Sequence, residues 1–340
     1  MSTAMKPRIA RMTCAGSLLA VLVLGSAASA FAQGGPGGRG GFGGGATPPA
    51  PAAAVPDAVK MPRPTDAEVA AVKDALGRLD AKTSAILKKY PDLVRVTPPL
   101  PMSANTAIRP SLSNGFMQKH QDNLEVAKQG NAELLFMGDS ITDFWRNEQG
   151  IGGRGNAAAA PPADGVIPYA GKAVQDKYFG NWKVANYGIA GDTTQGVLYR
   201  LQDGEGEGIN PKAIMLMIGT NNIGRNSAGE IAEGIGAVVM ALEKDFPDAR
   251  ILLLAVFPRG RPGDSARDTI AEINHIISRL DDGKKVFYLD IGKGFLDSQG
   301  NIPTDVMSDA LHPTSKGYEI WAKAVIDPIT AMMNGKPPAR

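Results

Sequence analysis

A single cysteine in 340 residues, Cys14, is too little for an internal disulfide framework or a thiolate zinc cluster. A net charge of only +2 offers no broad electrostatic footprint for a phosphate backbone, so nucleic acid is excluded as a partner. Part of that charge sits in Lys6, Arg8 and Arg11, which precede residue 33 with no acid to offset them. No Walker sequence is present, and the glycines around Gly188 and Gly191 lack the first glycine of a dinucleotide fingerprint, which removes the plain nucleotide-binding reading. The apolar stretch Leu18–Leu24 is too short to cross about 30 Å of hydrocarbon. With 43% hydrophobic and 21% charged residues, the chain nevertheless has ample material for a large core.

The N-terminus divides by composition. Residues 1–32 carry a basic start, the apolar stretch and two small-residue sites, Ala28-Ser29-Ala30 and Ala30-Phe31-Ala32, the three-part pattern of a cleaved signal peptide. Removal of that leader, Cys14 included, would leave a cysteine-free chain suited to a secreted or periplasmic location and without stable membrane insertion. Residues 33–64 are Gly-rich and then Ala/Pro-rich, nine of the twelve residues from Gly34 to Gly45 being glycine, and read as a disordered tether. Thr65-Asp66-Ala67-Glu68 matches a capping box. It predicts one helix whose seam is Val69, Val72, Leu76, Leu79, Thr83, Ile86 and Tyr90, ended by Pro91, within an N-terminal segment of 65–114.

Over 115–334 the pattern becomes α/β. Leu134–Met137, Val184–Tyr187, Ile214–Ile218, Ile251–Phe257 and Val286–Ile291 include continuously apolar runs, as expected of strands covered on both faces. Between and after them come helical stripes: Ile231, Ile235, Val238, Leu242; Ile270, Ile273, Ile277, Leu280; Tyr318, Trp321, Val325, Ile329. This alternation predicts a parallel sheet with helices on both sides, and such sheets gather ligands beyond the carboxyl ends of their strands.

Residues with chemical potential stand at those ends. The first run leads into Gly138-Asp139-Ser140, where Ser140 is either a hydroxyl nucleophile beside a helix N-terminus or simply a helix cap. The second leads into Asn186-Tyr187-Gly188-Ile189-Ala190-Gly191-Asp192, whose glycines permit a backbone N–H such as that of Gly191 to face a site, or make a plain turn capped by Asp192. The third leads into Gly219-Thr220-Asn221-Asn222, where an asparagine amide suits an oxyanion or only its own turn. Asp309 and His312, three apart on a loop, are spaced for a carboxylate to orient an imidazole, or for a buried structural pair. His120 in a polar helical stretch and His275 in an isoleucine-faced helix read as surface or packing residues, which leaves His312 as the candidate base.

Gly138-Asp139-Ser140, the Gly191 block, Gly219-Thr220-Asn221 and Asp309-x-x-His312 occur in an order that resembles the SGNH, or GDSL, hydrolase superfamily. Asn186–Thr194, Gly219–Asn222 and Phe257-Pro258-Arg259-Gly260 look most like its branch containing the platelet-activating-factor acetylhydrolase catalytic subunits. The resemblance implies a flavodoxin-like three-layer α/β/α sandwich with a five-stranded parallel sheet, and ester hydrolysis with no metal and no organic cofactor. It further implies that Ser140 is the nucleophile, His312 the base and Asp309 its partner, with an oxyanion hole from the Ser140 and Gly191 N–H groups and the Asn221 amide. Ile141, Thr220 and Leu311 adjoin those positions and are candidates for a small acyl pocket. The expected substrate is a small ester, foremost an O-acetylated carbohydrate. An acyltransferase and a non-catalytic carbohydrate-binding protein are the alternatives. The stretch Gly150–Ala163, rich in Gly and Ala, reads as an insertion that forms a lid or rim.

Overall fold

The computed structural model describes residues 50–89, 105–149 and 165–339. The leader, the Gly-rich half of the tether and the Gly150–Ala163 insertion lie outside the described residues. Two compact units divide the chain, one containing residues 64–98 and the other residues 47–63 and 99–340.

In the smaller unit, helices α1 (Asp66–Gly77) and α2 (Ala81–Lys89) replace the single helix expected from the apolar seam. The capping box at Thr65 is present, its hydroxyl accepting from the Glu68 N–H while Glu68 reaches back to the Thr65 N–H at 2.7 Å. The interruption has a local cause. Asp80 accepts from the Thr83 N–H at 2.9 Å and from the Thr83 hydroxyl at 2.7 Å, starting a new helix where the seam alone would have continued the old one.

The larger unit is built on strands β1 (Leu134–Gly138), β2 (Val184–Asn186), β3 (Ala213–Met217), β4 (Arg250–Leu254) and β5 (Val286–Leu289). All neighbouring pairs are parallel, in the order β2-β1-β3-β4-β5. Side chains alternate between two apolar layers. Leu135, Met137, Ile214, Leu216, Ile251 and Leu253 pack on one face with residues of α3 (Met117–Lys128), α6 (Thr194–Arg200), α7 (Ala228–Asp245) and α8 (Ser265–Ile277). Leu134, Phe136, Met215, Met217, Leu252 and Leu254 face the other way, toward α5 (Lys172–Phe179) and α9 (Ser315–Met333). The result is the expected three-layer α/β/α sandwich with flavodoxin-like strand order. All three predicted helical stripes lie within α7, α8 with its terminal turn, and α9.

Part of the expected tether is instead built into this unit. Val59 is buried in the α7 side of the core, Ala53 donates its N–H to the Ile108 carbonyl at 2.7 Å, and Arg63 forks onto Glu233 of α7 at 2.7 and 2.9 Å. Glu233 is fully buried and also accepts from the Met61 N–H and the Asn105 amide, so its charge is compensated from three directions. Residues 50–63 are therefore a strap over α7, fixed by long-range partners that Pro/Ala-rich composition does not reveal. Among the described residues no helix is long and apolar enough to cross a membrane.

Candidate active site

The strand order reverses between β1 and β3, and the turn after β1 lies at that switch point. It runs from Gly138 directly into the four-residue helix α4 (Ser140–Asp143). Asp139 is the cap, its Oδ1 accepting from the Ile141 N–H at 3.0 Å. Ser140 is thus the first helical residue rather than the cap, with its hydroxyl free for another partner. That partner is His312: Ser140 Oγ lies 2.9 Å from His312 Nε2, 172 residues away in sequence. His312 Nδ1 lies 2.6 Å from Asp309 Oδ2, while Asp309 Oδ1 accepts the Leu311 and His312 N–H groups at 3.1 and 2.8 Å.

Burial alone would raise the Asp309 carboxyl, but the His312 ring and backbone hydrogen bonds outweigh it and bring its pKa to about 2. Asp309 is therefore an ionised acceptor at any working pH, and the imidazole nitrogen facing it carries the proton. Nε2 is then left to accept from the serine hydroxyl. The arrangement is the one that a nucleophile, its base and an orienting carboxylate require.

The turn after β2 is stitched to the serine turn. Ile189 donates its N–H to the Gly138 carbonyl at 3.2 Å, and Ala190 donates to Asp143 Oδ2 at 3.1 Å. Gly188 presses so closely on α4 that a Cβ would overlap the Asp143 backbone. Gly191 turns at φ 89°, a conformation that favours glycine. Asn221, in the turn after β3, donates its amide to the Asp192 carbonyl at 2.8 Å instead of bonding its own turn. Thr194 in turn donates its N–H to Asn222 Oδ1 at 3.1 Å. The Gly191 and Asn221 turns form one rim, tied to the serine turn by residues 188–190.

Three expectations need correction. Ile141 is 1% exposed and packs in the core beneath the sheet, so it is floor rather than pocket wall. Thr220, also 1% exposed, accepts Arg259 at its hydroxyl and carbonyl, 3.2 Å each. Leu311 alone of the three is partly open. His120 is neither a surface residue nor an apolar packing residue: it is buried between Glu205 and Asp203, 2.9 Å from each. Its hydrogen bond to Glu205 holds it above the ordinary histidine range, against the opposing effect of burial. Arg200, equally buried, bridges Glu205 to Asp192, donating to Asp192 Oδ2 at 2.8 and 3.0 Å. Asp192, weighed as a helix cap, is the inner end of this network. Phe116, whose ring lies over Gly191, is a further aromatic neighbour of the site that sequence reading passed over.

Asp139 was also passed over as a titrating group. It is fully buried and its Oδ2 has no hydrogen-bond partner. Burial pushes its pKa from 3.8 up to about 7, against the N–H of Ile141 and the nearby His312. A carboxyl protonated more readily in the folded than in the unfolded chain makes stability fall as pH rises from about 4 to 7. The difference corresponds to about 4 kcal/mol. Asp139→Asn keeps an oxygen for the cap and cannot ionise. Relative to the parent, the variant should gain stability steadily between pH 4 and 7 in urea denaturation. Parallel curves would show that Asp139 does not titrate there.

With this geometry in place, comparison with known proteins is informative. Residues 136–320 match the GDSL-like Lipase/Acylhydrolase family, more than half of the chain. The chain belongs to this family. Among similar proteins, platelet-activating factor acetylhydrolase IB subunit alpha2 of Rattus norvegicus is 31% identical over 223 residues, 65% of this chain and 86% of that protein. The platelet-activating factor acetylhydrolase IB subunit beta homolog of Drosophila melanogaster is 34% identical over 160 residues, 47% of this chain and 69% of that protein. Axe2, an acetylxylan esterase from Geobacillus stearothermophilus, aligns at 22% identity and a TM-score of 0.42 over 58% of this chain and 94% of that one. By its family this GDSL/SGNH hydrolase is an acylhydrolase, an enzyme that acts on ester bonds.

Proposed function

We propose that the protein is an exported esterase that removes short acyl groups, acetyl first, from carbohydrate hydroxyls through an acyl-enzyme on Ser140. The observation that carries this reading is the unbroken line from Ser140 Oγ through His312 to Asp309, at 2.9 and 2.6 Å. As the hydroxyl oxygen attacks the ester carbonyl, its proton passes to His312 Nε2. The carbonyl π electrons move onto oxygen, where the Ser140 and Gly191 N–H groups and the Asn221 amide stabilise them. Collapse expels the alcohol with the proton from His312. Water, deprotonated by the same nitrogen, then releases the acid and restores the serine.

Three features support the finer claims. The core beneath Ser140 is filled by Ile141, Phe144 and Trp145, which favours a short acyl group over a long chain. The large apolar side chains exposed among the described residues are only Val72, Ile86 and Met240, a poor surface for a lipid aggregate. The N-terminal basic–apolar–small pattern supports export, where polymeric carbohydrate is met. The curated relatives are named as acetylhydrolases. The test is acyl-length selectivity together with acetate release from acetylated oligosaccharides. An acetyl ester should exceed an octanoyl ester by at least about tenfold in kcat/KM, since a few unaccommodated methylenes cost that much. Preference for the octanoyl ester would reject the short-acyl assignment, and no acetate from any acetylated saccharide would reject the carbohydrate assignment.

A further inference from the structure

Two non-glycine residues among those described have positive φ, Tyr169 at 57° and Ala310 at 56°, and both belong to the surroundings of His312. A bulky aromatic residue in the left-handed region is an outlier that persists only where its surroundings over-determine it. Here they do. The Tyr169 N–H donates to the Pro313 carbonyl at 3.2 Å, and Asn147 donates its amide to the Tyr169 carbonyl at 3.1 Å. The preceding Pro168 bridges antiparallel to Thr314. Ile167 donates to Ser315 Oγ at 3.0 Å, and Ser315 donates to the Ile167 carbonyl at 2.8 Å. The segment is thus laced to the chain immediately after His312.

The twisted backbone delivers the side chain to the imidazole. The Tyr169 ring meets the His312 ring edge-on, centroids 5.5 Å apart at 74°. Phe144 contacts the same imidazole at 5.2 Å and Tyr169 at 5.8 Å, so His312 rests in an aromatic corner. The Tyr169 phenol stands near enough to Asp309 to feel the charge of its carboxylate. Burial, and after it the Asp309 charge, hold that phenol above its ordinary range, which keeps it a donor. Asp309 already accepts the Leu311 and His312 N–H groups on Oδ1 and the imidazole on Oδ2.

We propose that Tyr169 is a positioning residue of the esterase, its ring fixing the plane of the imidazole. This rests on the reading of Ser140, His312 and Asp309 as the reacting line. Tyr169 acts only through the imidazole it packs against. Its strain has a purpose under this view: an ordinary φ would carry the ring away from His312.

The decisive variants separate ring, hydroxyl and fold. Tyr169→Gly suits the positive φ and removes the whole side chain, and Tyr169→Phe removes only the hydroxyl. On p-nitrophenyl acetate, the glycine variant should lose about 10² in kcat, the scale expected when a reacting group is misplaced by about 1 Å, with KM within about twofold. The phenylalanine variant keeps the ring and should stay within about threefold of the parent in kcat, well above glycine. Parental kcat in a folded glycine variant would overturn the proposal. So would a loss that falls equally on KM and tracks a lowered Tm, the mark of packing alone. Should the glycine variant not fold, Tyr169→Asn, which also suits the positive φ and also removes the ring, takes its place, and a parental kcat there would overturn the proposal. Ser140→Ala and His312→Ala assayed alongside distinguish the two levels. Activity surviving in those would sink the underlying reading, and inactivity there beside a parental Tyr169→Gly would sink this inference only.

Discussion

Ser140→Ala is expected to reduce kcat by about 10⁶, to the residual rate that donors and binding alone sustain in triad enzymes. The structure gives reasons to expect both the size of the loss and its cleanness. Ser140 Oγ is within hydrogen-bonding distance of a base whose other nitrogen faces a carboxylate ionised down to about pH 2. Ser140 is only 6% exposed, so a water molecule cannot simply take the place of its hydroxyl without repacking the turn. The fold should not notice the change, because Asp139 and not Ser140 caps α4, and alanine is at ease as the first residue of a helix. The measurement pairs turnover with intact-mass analysis after fluorophosphonate treatment. The parent should gain one adduct, on Ser140, and the variant none at that position. A variant retaining activity within tenfold of the parent would dismiss Ser140 as nucleophile.

Arg200→Met should destabilise the fold by about 3–5 kcal/mol, because it strands Asp192 and takes from Glu205 its guanidinium partner, leaving that carboxylate to His120 and Asn123. Burial works against the guanidinium charge, but Glu205 and Asp192 outweigh it and hold Arg200 ionised. The damage should also reach the rim, since Asp192 supplies the carbonyl that Asn221 grips. A triple variant, Arg200→Met with Asp192→Asn and Glu205→Gln, should recover a substantial part of the loss, because it removes the stranded charges. Urea midpoints with a common slope provide the test. A loss under about 1 kcal/mol for the single change would mean that water or rearrangement replaces Arg200, contrary to its buried placement.

What could be read in advance follows from which interactions leave a local trace. Strands buried on both faces need continuous apolar runs, so Leu134–Met137 and Ile214–Ile218 lie within a residue of the observed β1 and β3. Helices with one core face need a 3.6-residue stripe, and α7 carries it plainly. Ser140, Asp309 and His312 were legible because the turn glycine and the D-x-x-H spacing are themselves local, although the contact they make is not. Charges paired inside the core leave no such trace. Arg200, Glu205 and His120 are ordinary polar letters until a third dimension brings them together. The strap at residues 50–63 was hidden likewise, since Val59 and Arg63 matter only against α7. Tyr169 was invisible for a further reason: its importance depends on a backbone angle that nothing in its neighbours' identities signals.

The separation of 172 positions between Ser140 and His312 has a consequence for folding. All five strands precede the base in sequence, so nearly the whole sheet can assemble while the serine still lacks its proton acceptor. A chain folded only as far as β5 thus presents a serine without its imidazole, and the pairing waits on the docking of α9, which brings the preceding loop home.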